Sequence, residues 1–290
     1  MLREYFRLGK DVKTDDMSLV KNGRYIRAPS LRATLLNVLG EWNGKDATDM
    51  KREVLHSTTQ MAEAVVLAQQ LEKQEPGVHR SESIHELQQI FEDRGRGKSV
   101  CYFDKWALFD AVAHLKAPEL LPIAETEVLC DPRTFVDHMD ALESLPADVR
   151  AASLLRMFAK ESVVEHLASD PFSARRFNYS EPIVAEQMAR IFSENMDKKC
   201  REYLLTGFTN EDVVYSGASG SFREEWKKMP AIERVAKLQA RLAFLDTIAP
   251  QCDTPVLQER LQDARTELQK AVANPNARKA TQVGSIIVDD

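Results

Sequence analysis

Apolar residues recur at intervals of three and four through most of the chain. That spacing lines one face of an α-helix and differs from the alternation of a half-buried strand. Ser30 is an N-cap by type. Leu31, Leu35, Val38, Leu39 and Trp42 after it share one face up to Gly44, which predicts a short helix. From about 47 to 75, Met50, Val54, Met61, Val65, Ala68 and Leu71 keep one phase until Pro76 forbids continuation, so one long helix is expected. Ser83 and Glu86 have the spacing of a capping box, opening a helix that buries Leu87, Ile90 and Phe91 and stops at Gly95 and Gly97. Asp104 is the expected cap of a further helix with Trp106, Phe109 and Val112 inside.

In the second half, Asp131 before Pro132 is the clearest start signal, leading into Phe135, Met139 and Leu142. Pro146 opens a helix whose spacing runs through Val149, Ala152, Leu155, Phe158 and Val163 to about Leu167. Ser180 and Pro182 start a second long helix, with Val184, Met188, Ile191, Cys200 and Leu204 inward and Gly207 at its end. Residues 207–222 are rich in glycine and serine and carry no period, which marks a linker. Beyond it, Ile232, Val235, Leu238, Leu242, Leu245 and Ile248 form one stripe, Pro250 breaks it, and Thr254 with Pro255 starts another through Leu257, Leu261, Ala264, Leu268 and Val272. Neither stripe is stable in water alone, so the two helices should fold back as an antiparallel hairpin.

The expectation is therefore an all-α protein, an irregular multi-helix bundle without a fixed repeat. Its divisions are a main helical domain at 1–206, a linker at 207–222, the C-terminal hairpin at 223–273, and a flexible tail at 274–290 that is polar and broken by proline. A length of 290 residues exceeds the roughly 100 to 200 of a usual domain and accommodates two packed units as well as one.

Composition narrows the function. Apolar residues at 43% and charged residues at 29% belong to a folded globular chain. The 45 acidic and 39 basic residues are interspersed and leave a formal charge of −6, a surface with no general attraction for nucleic acid or anionic lipid. The opening MLREYFRLGKDVKTDD is too often charged for a secretory signal, and no stretch approaches the roughly eighteen apolar residues that cross a bilayer. A cytoplasmic protein without membrane insertion is expected, and a bacterial cytosol or delivery into a host cell fits equally. Cys101, Cys130, Cys200 and Cys252 lie 29, 70 and 52 residues apart, with no redox or zinc spacing, so separate reduced thiols are expected.

Candidate chemistry is sparse. Cys130 and Cys252 precede helix starts, where the dipole favours thiolate, but Asp131 and Asp253 oppose it; His114, His138 and His166 are the histidines a catalytic thiol could use. His138 with Asp131 and Asp137, or Glu165 with His166, puts metal-ligand types close in sequence. Adjacent positions diverge on a helix, however, and no metal or other cofactor is expected. The run RGRGKS ends like a phosphate-binding loop but has Glu92 where the first glycine belongs and a helix before it. ARRFNYS mixes cations and aromatics as single-strand binders do, although one such patch in an acidic chain reads better as a connector, and no nucleic-acid partner is expected. The acid pairs Glu92–Asp93 and Glu211–Asp212 read as solvated surface.

The last residues, Ser285 followed by Ile286, Ile287, Val288, Asp289 and Asp290, combine β-branched side chains with an acidic end. Such a segment adds as a strand to a partner's sheet edge. It resembles the hydrophobic-acidic motifs that bind ubiquitin-like modifiers. A strand docked on its own domain and a frayed end are the other readings. Amphipathic helices without a strong catalytic motif point to a protein–protein interaction protein, an adaptor or scaffold. The alternatives are an effector-type enzyme whose thiol site assembles only in the fold, and a subunit of a larger assembly that oligomerises through the hairpin.

Overall fold

The chain is all-α. The computed structural model describes residues 2–8, 11–13, 19–21, 23–95, 102–170, 177–209 and 229–275, and among them are fourteen α-helices and one two-stranded ribbon. They form two compact units, Met1–Val163 and Val164–Asp290.

The first unit is built around a buried helix. Its elements are α1 (Leu2–Arg7), β1 (Leu19–Lys21), β2 (Arg24–Arg27), α2 (Leu31–Gly40), α3 (Lys45–Ser57), α4 (Met61–Gln74), α5 (Arg80–Gly95), α6 (Tyr102–Leu115), α7 (Leu121–Cys130), α8 (Phe135–Leu142) and α9 (Ala147–Phe158). Helix α4 packs against α2, α3, α5, α6 and both strands. All eleven residues from Met61 to Leu71 are buried, as a helix surrounded on every side requires. Its polar side chains are answered from neighbouring elements. Gln69 donates to Asp110, and Gln70 donates to the carbonyls of Gly23 and Leu36 at 3.0 and 3.1 Å. Gly23 turns the ribbon at φ +74°, where a side chain would be strained and its Cβ would come within 3.2 Å of Gln69.

Several expected helices are cut by local chemistry. The segment 47–75 is two helices, because Thr58 leaves the helical path and its hydroxyl donates to Glu63 and accepts from the Gln60 amide. The Ser83–Glu86 pair does not cap. Helix α5 begins at Arg80, whose guanidinium is held by the carbonyls of Leu115 and Lys116 and by Glu119, so Ser83 lies inside it, buried and with its hydroxyl unpartnered. Asp104 likewise falls inside α6, where Phe109 and Val112 are buried and Trp106 is exposed. Helix α7 carried no expectation at all. Asp131 and Pro132 do open the next element, with the Asp131 carboxylate accepting from the Arg133 amide ahead of α8. After Pro146 the inward face holds Ser153, Leu154 and Met157, one position off the expected Ala152 and Leu155, and the helix ends at Phe158.

Helix α10 (Glu161–Ser169) carries the chain from the first unit into the second, which contains α11 (Pro182–Glu194), α12 (Lys198–Gly207), α13 (Ala231–Ile248) and α14 (Pro255–Ala273). The second expected long helix is also divided. Asp197 accepts from the Cys200 amide at 2.7 Å and starts α12, while Arg201 donates to the carbonyl of Ser193 in the last turn of α11 and to that of Met196 beyond it. Thr254 caps α14 through the Leu257 amide. Helices α13 and α14 pack on each other, joined by an Asp246–Arg265 ion pair at 2.5 Å, and α11 and α12 pack on them in turn. Phe208, Phe244 and Tyr179 form an aromatic cluster at their centre, with Tyr179 and Phe244 ring centroids 4.3 Å apart. The expected linker continues past Thr209 outside the described residues, as does the tail beyond residue 275.

Candidate functional site: an outward apolar face on α2

Helix α2 is apolar on two sides. Arg32, Ala33, Leu36 and Leu39 are the buried set, packed towards α4. Leu31 and Val38 on the helix and Trp42, two residues past its end, are 41%, 43% and 48% exposed, and Leu35 is half-buried. Of the five positions that the sequence put on one face, Leu39 is thus covered while Leu31, Val38 and Trp42 stay exposed. In a ten-residue helix with so few polar positions, apolar spacing is compatible with either face, and burial of Leu36 and Leu39 takes one of them. Leaving these side chains a little under half exposed forgoes on the order of 1 kcal/mol each.

The face is held rigidly along its length. At its start Ser30 accepts from the Ala33 amide, and Asp11 accepts from the Arg32 amide at 2.9 Å. Arg32 meets both oxygens of Glu63 at 2.8 and 3.0 Å, donates to the Phe6 carbonyl at 2.9 Å and lies 5.0 Å from the Phe6 ring centre. In the middle, the Asn37 amide exchanges two bonds with the Tyr25 backbone, and Gly40 lies so close to Gln70 that an added Cβ would meet it at 2.5 Å. Past the end, Lys51, 1% exposed, donates to the Trp42 carbonyl at 3.0 Å and to Gln74 at 2.6 Å. Burial pulls the Lys51 ammonium below its ordinary pKa, against the opposing pull of Glu75.

A buried polar chain lies elsewhere in the unit. His138 Nε2 is 3.0 Å from Ser153 Oγ, which donates to Glu125 at 2.6 Å, and Arg156 grips Glu125 through two nitrogens at 2.6 and 3.0 Å. Because the serine proton goes to the carboxylate, the serine oxygen accepts from Nε2–H, and Nδ1 is left buried without a partner between Phe109 and Phe135. This is the reverse order of a catalytic triad, where the hydroxyl donates to imidazole. His138 and Ser153 are both fully buried, and burial brings the imidazole down to about 4. For Glu125, burial pushes upward, but the bonds from Arg156 and Ser153 outweigh it and hold the carboxyl below its usual range.

An exposed charge cluster joins α3 to α5. His56 meets Glu82 at 2.5 Å and Glu86 at 2.8 Å, Arg52 meets Glu82 at 3.0 Å, and His79 lies 3.1 Å from Glu75 and 3.6 Å from Glu82. Burial lowers the His56 pKa, yet the two glutamates overcome that and raise it above the ordinary value.

The residues singled out from sequence are dispersed. Cys130 is the last residue of α7 and exposed, Cys200 is half-buried in α12, and Cys252 is buried with its thiol donating to the Ile248 carbonyl. Burial raises the Cys200 and Cys252 thiols, Asp197 adding to the shift at Cys200, so both move away from thiolate. No described cysteine bonds to a histidine, and no described group of three or more His, Cys, Asp or Glu is placed to hold a metal ion. Phe177 and Tyr179 of the ARRFNYS run are core residues, 2% and 4% exposed. Cys101, Lys98, Ser99, Arg175, Arg176, Glu211, Asp212 and the tail segment Ile286, Ile287, Val288, Asp289 and Asp290 lie outside the described residues. In α13 and α14 the leucines are buried or half-buried and Ile232, 82% exposed, stands apart. No helix among the described residues is long and apolar enough to cross a membrane. Compared with protein-family models, curated proteins and solved structures, the chain matches none of them.

Proposed function

We propose that the protein is an adaptor or scaffold that acts by holding another protein, with the outward face of α2 as its contact surface. The observation that carries the reading is the row of exposed Leu31 and Val38 on α2, with half-buried Leu35 between them and exposed Trp42 just past the helix end. Single exposed apolar residues are ordinary on any surface, whereas a row on successive turns of one anchored helix is what a partner's apolar face requires. The anchoring matters as much as the composition. A surface already fixed by Asp11, Glu63, Tyr25 and Lys51 loses little freedom on binding.

Site-specific photo-crosslinking tests this in cells that express the chain. A crosslinking side chain at Val38 is expected to yield discrete protein adducts that a second substitution, Trp42→Ala, abolishes, while the same probe at exposed Glu143 yields none. Identical adducts at both positions, or none at Val38, overturn it.

A further inference from the structure

We infer that Asn43 is a site of spontaneous covalent modification, where the Gly44 amide converts it to aspartate and isoaspartate. The inference is independent of the interaction role proposed for α2. The chemistry needs a side-chain amide whose carbon can be reached by the backbone nitrogen of the next residue, and glycine obstructs that approach least because it has no Cβ. The sequence holds two such pairs, Asn22–Gly23 and Asn43–Gly44. The Gly44 nitrogen bonds to Asn43 Cγ, the bond from Cγ to the side-chain nitrogen breaks, and ammonia leaves with the proton that the Gly44 nitrogen gives up, closing a succinimide. Water then opens the ring. Breaking its bond from Cγ to nitrogen gives aspartate, and breaking the bond from the main-chain carbonyl carbon gives isoaspartate. Either product adds one negative charge, and water is the sole co-reactant.

What separates the asparagines is whether the nitrogen after each is free to attack. Val38 after Asn37 lies within α2, and the Asn37 side chain is itself engaged by the Tyr25 backbone. The amides of Tyr179 after Asn178 and of Met196 after Asn195 donate to the carbonyls of Phe177 and Ile191 at 3.1 and 3.0 Å. Asn274 is followed by Pro275, whose nitrogen has no hydrogen to give up. Asn22 lies outside the described residues, but the Gly23 amide after it is buried and taken by the Gln69 side chain. A bonded or buried amide has to be released before it can attack, and that step adds to the barrier. The Gly44 amide bonds to no described group, and a Cβ added at Gly44 would meet nothing within 4 Å. Asn43 is exposed, outside any helix or strand, and its side chain has no described partner. It stands in the link between α2 and α3, next to Trp42, whose carbonyl Lys51 holds. Isoaspartate would lengthen the main chain there by one carbon. The new charge would fall near the first turn of α3, which Gly44 caps without a side-chain bond.

The test incubates the full-length chain in mildly alkaline buffer made with heavy-oxygen water, beside the same chain unfolded in guanidinium chloride. Peptide mapping by mass spectrometry follows heavy oxygen at each asparagine, and an isoaspartyl methyltransferase reads the isoaspartate fraction. In the folded chain Asn43 is expected to convert at least about tenfold faster than Asn22, Asn37, Asn178 and Asn195, with isoaspartate exceeding aspartate. Unfolding should bring Asn22 up to the rate of Asn43, since both are then asparagine–glycine pairs in open chain. Asn43→Gln should remove heavy-oxygen uptake at that position, because glutamine must close a larger ring; circular dichroism checks its fold. Conversion of Asn43 in guanidinium chloride but not in the folded chain would show the fold protecting it and overturn the inference, as would conversion in neither state. Equal rates at Asn22 and Asn43 in the folded chain would overturn the part assigned to the free Gly44 amide.

Discussion

The two units stabilise their interiors differently. Among the described residues the first buries twelve polar or charged side chains, Arg32, Lys51, Glu63, His138 and Ser153 among them, whereas the second buries one, Arg241, whose guanidinium burial brings down to about 10. The centre of the second is aromatic and aliphatic, with Tyr179, Phe208 and Phe244 in mutual contact. A buried hydrogen-bonded network contributes little over a well-packed apolar one in net stability, but it is costly to break singly and it selects one arrangement. The first unit, which carries the α2 face, should therefore respond to charge deletion and to pH, and the second to lost volume.

Glu63→Ala has the largest expected effect. It strands Arg32 without its carboxylate and should cost about 4 kcal/mol in urea denaturation, while Arg32→Met with Glu63→Leu should cost clearly less. Equal losses for the single and double variants would mean that the pair acts only by filling space. Next, Leu245→Ala in α13 should cost about 3 kcal/mol by leaving a cavity, with the same value at pH 7 and pH 5. Hydrogen exchange should place that loss in the second unit.

The third expectation concerns acid. His138 has a folded pKa of about 4 against an ordinary 6.5, so as pH falls below 6.5 the unfolded chain takes up a proton that the folded chain refuses. Stability is then full above pH 6.5 and declines between 6.5 and 4, by up to about 3 kcal/mol. His138→Gln should remove that slope, and a slope that survives the substitution assigns it elsewhere. His56 has the opposite sign and a smaller effect. Its raised pKa makes its contribution complete below 6.5 and lost as pH rises through the folded value, so His56→Gln should loosen α3 against α5 at pH 6 more than at pH 8 by hydrogen exchange. Smallest of all, Val38→Glu should change stability by less than about 0.5 kcal/mol while abolishing the crosslinks, which separates a binding face from a core face.

Much of the fold was legible from particular residues. Ser30, Asp131 with Pro132, and Thr254 with Pro255 start elements where their types say they should, because a capping bond forms within three residues and needs no distant partner. Breaks at Thr58 and Asp197 were hidden within helical spacing. Apolar period continues across both, and only the hydroxyl bond to Glu63 and the carboxylate bond to Cys200 show the interruption. The Ser83–Glu86 signature fails for a nonlocal reason: Glu86 is engaged by His56 and the helix start is drawn back to Arg80 by groups at the end of α6. The candidate surface was legible as a stripe and illegible as a surface. Spacing put Leu31, Leu35, Val38, Leu39 and Trp42 together, but which of them is covered depends on how α2 packs on α4 and β2.

The sequence by itself determined the all-α class, most helix ends that lie at proline, glycine or a short polar cap, and the absence of thiol spacings for zinc or redox chemistry. Tertiary structure decided the rest: that Arg32 and Lys51 go inside, that His138 stays neutral with one nitrogen unpaired, and that Leu31, Val38 and Trp42 stay outside. The reason is the range of the forces involved. Backbone capping and steric limits act within a turn, whereas the burial of a helix face is settled by which of two comparable apolar rows another helix covers, and by whether a carboxylate or carbonyl from a distant segment is there to meet each charge that goes in with it.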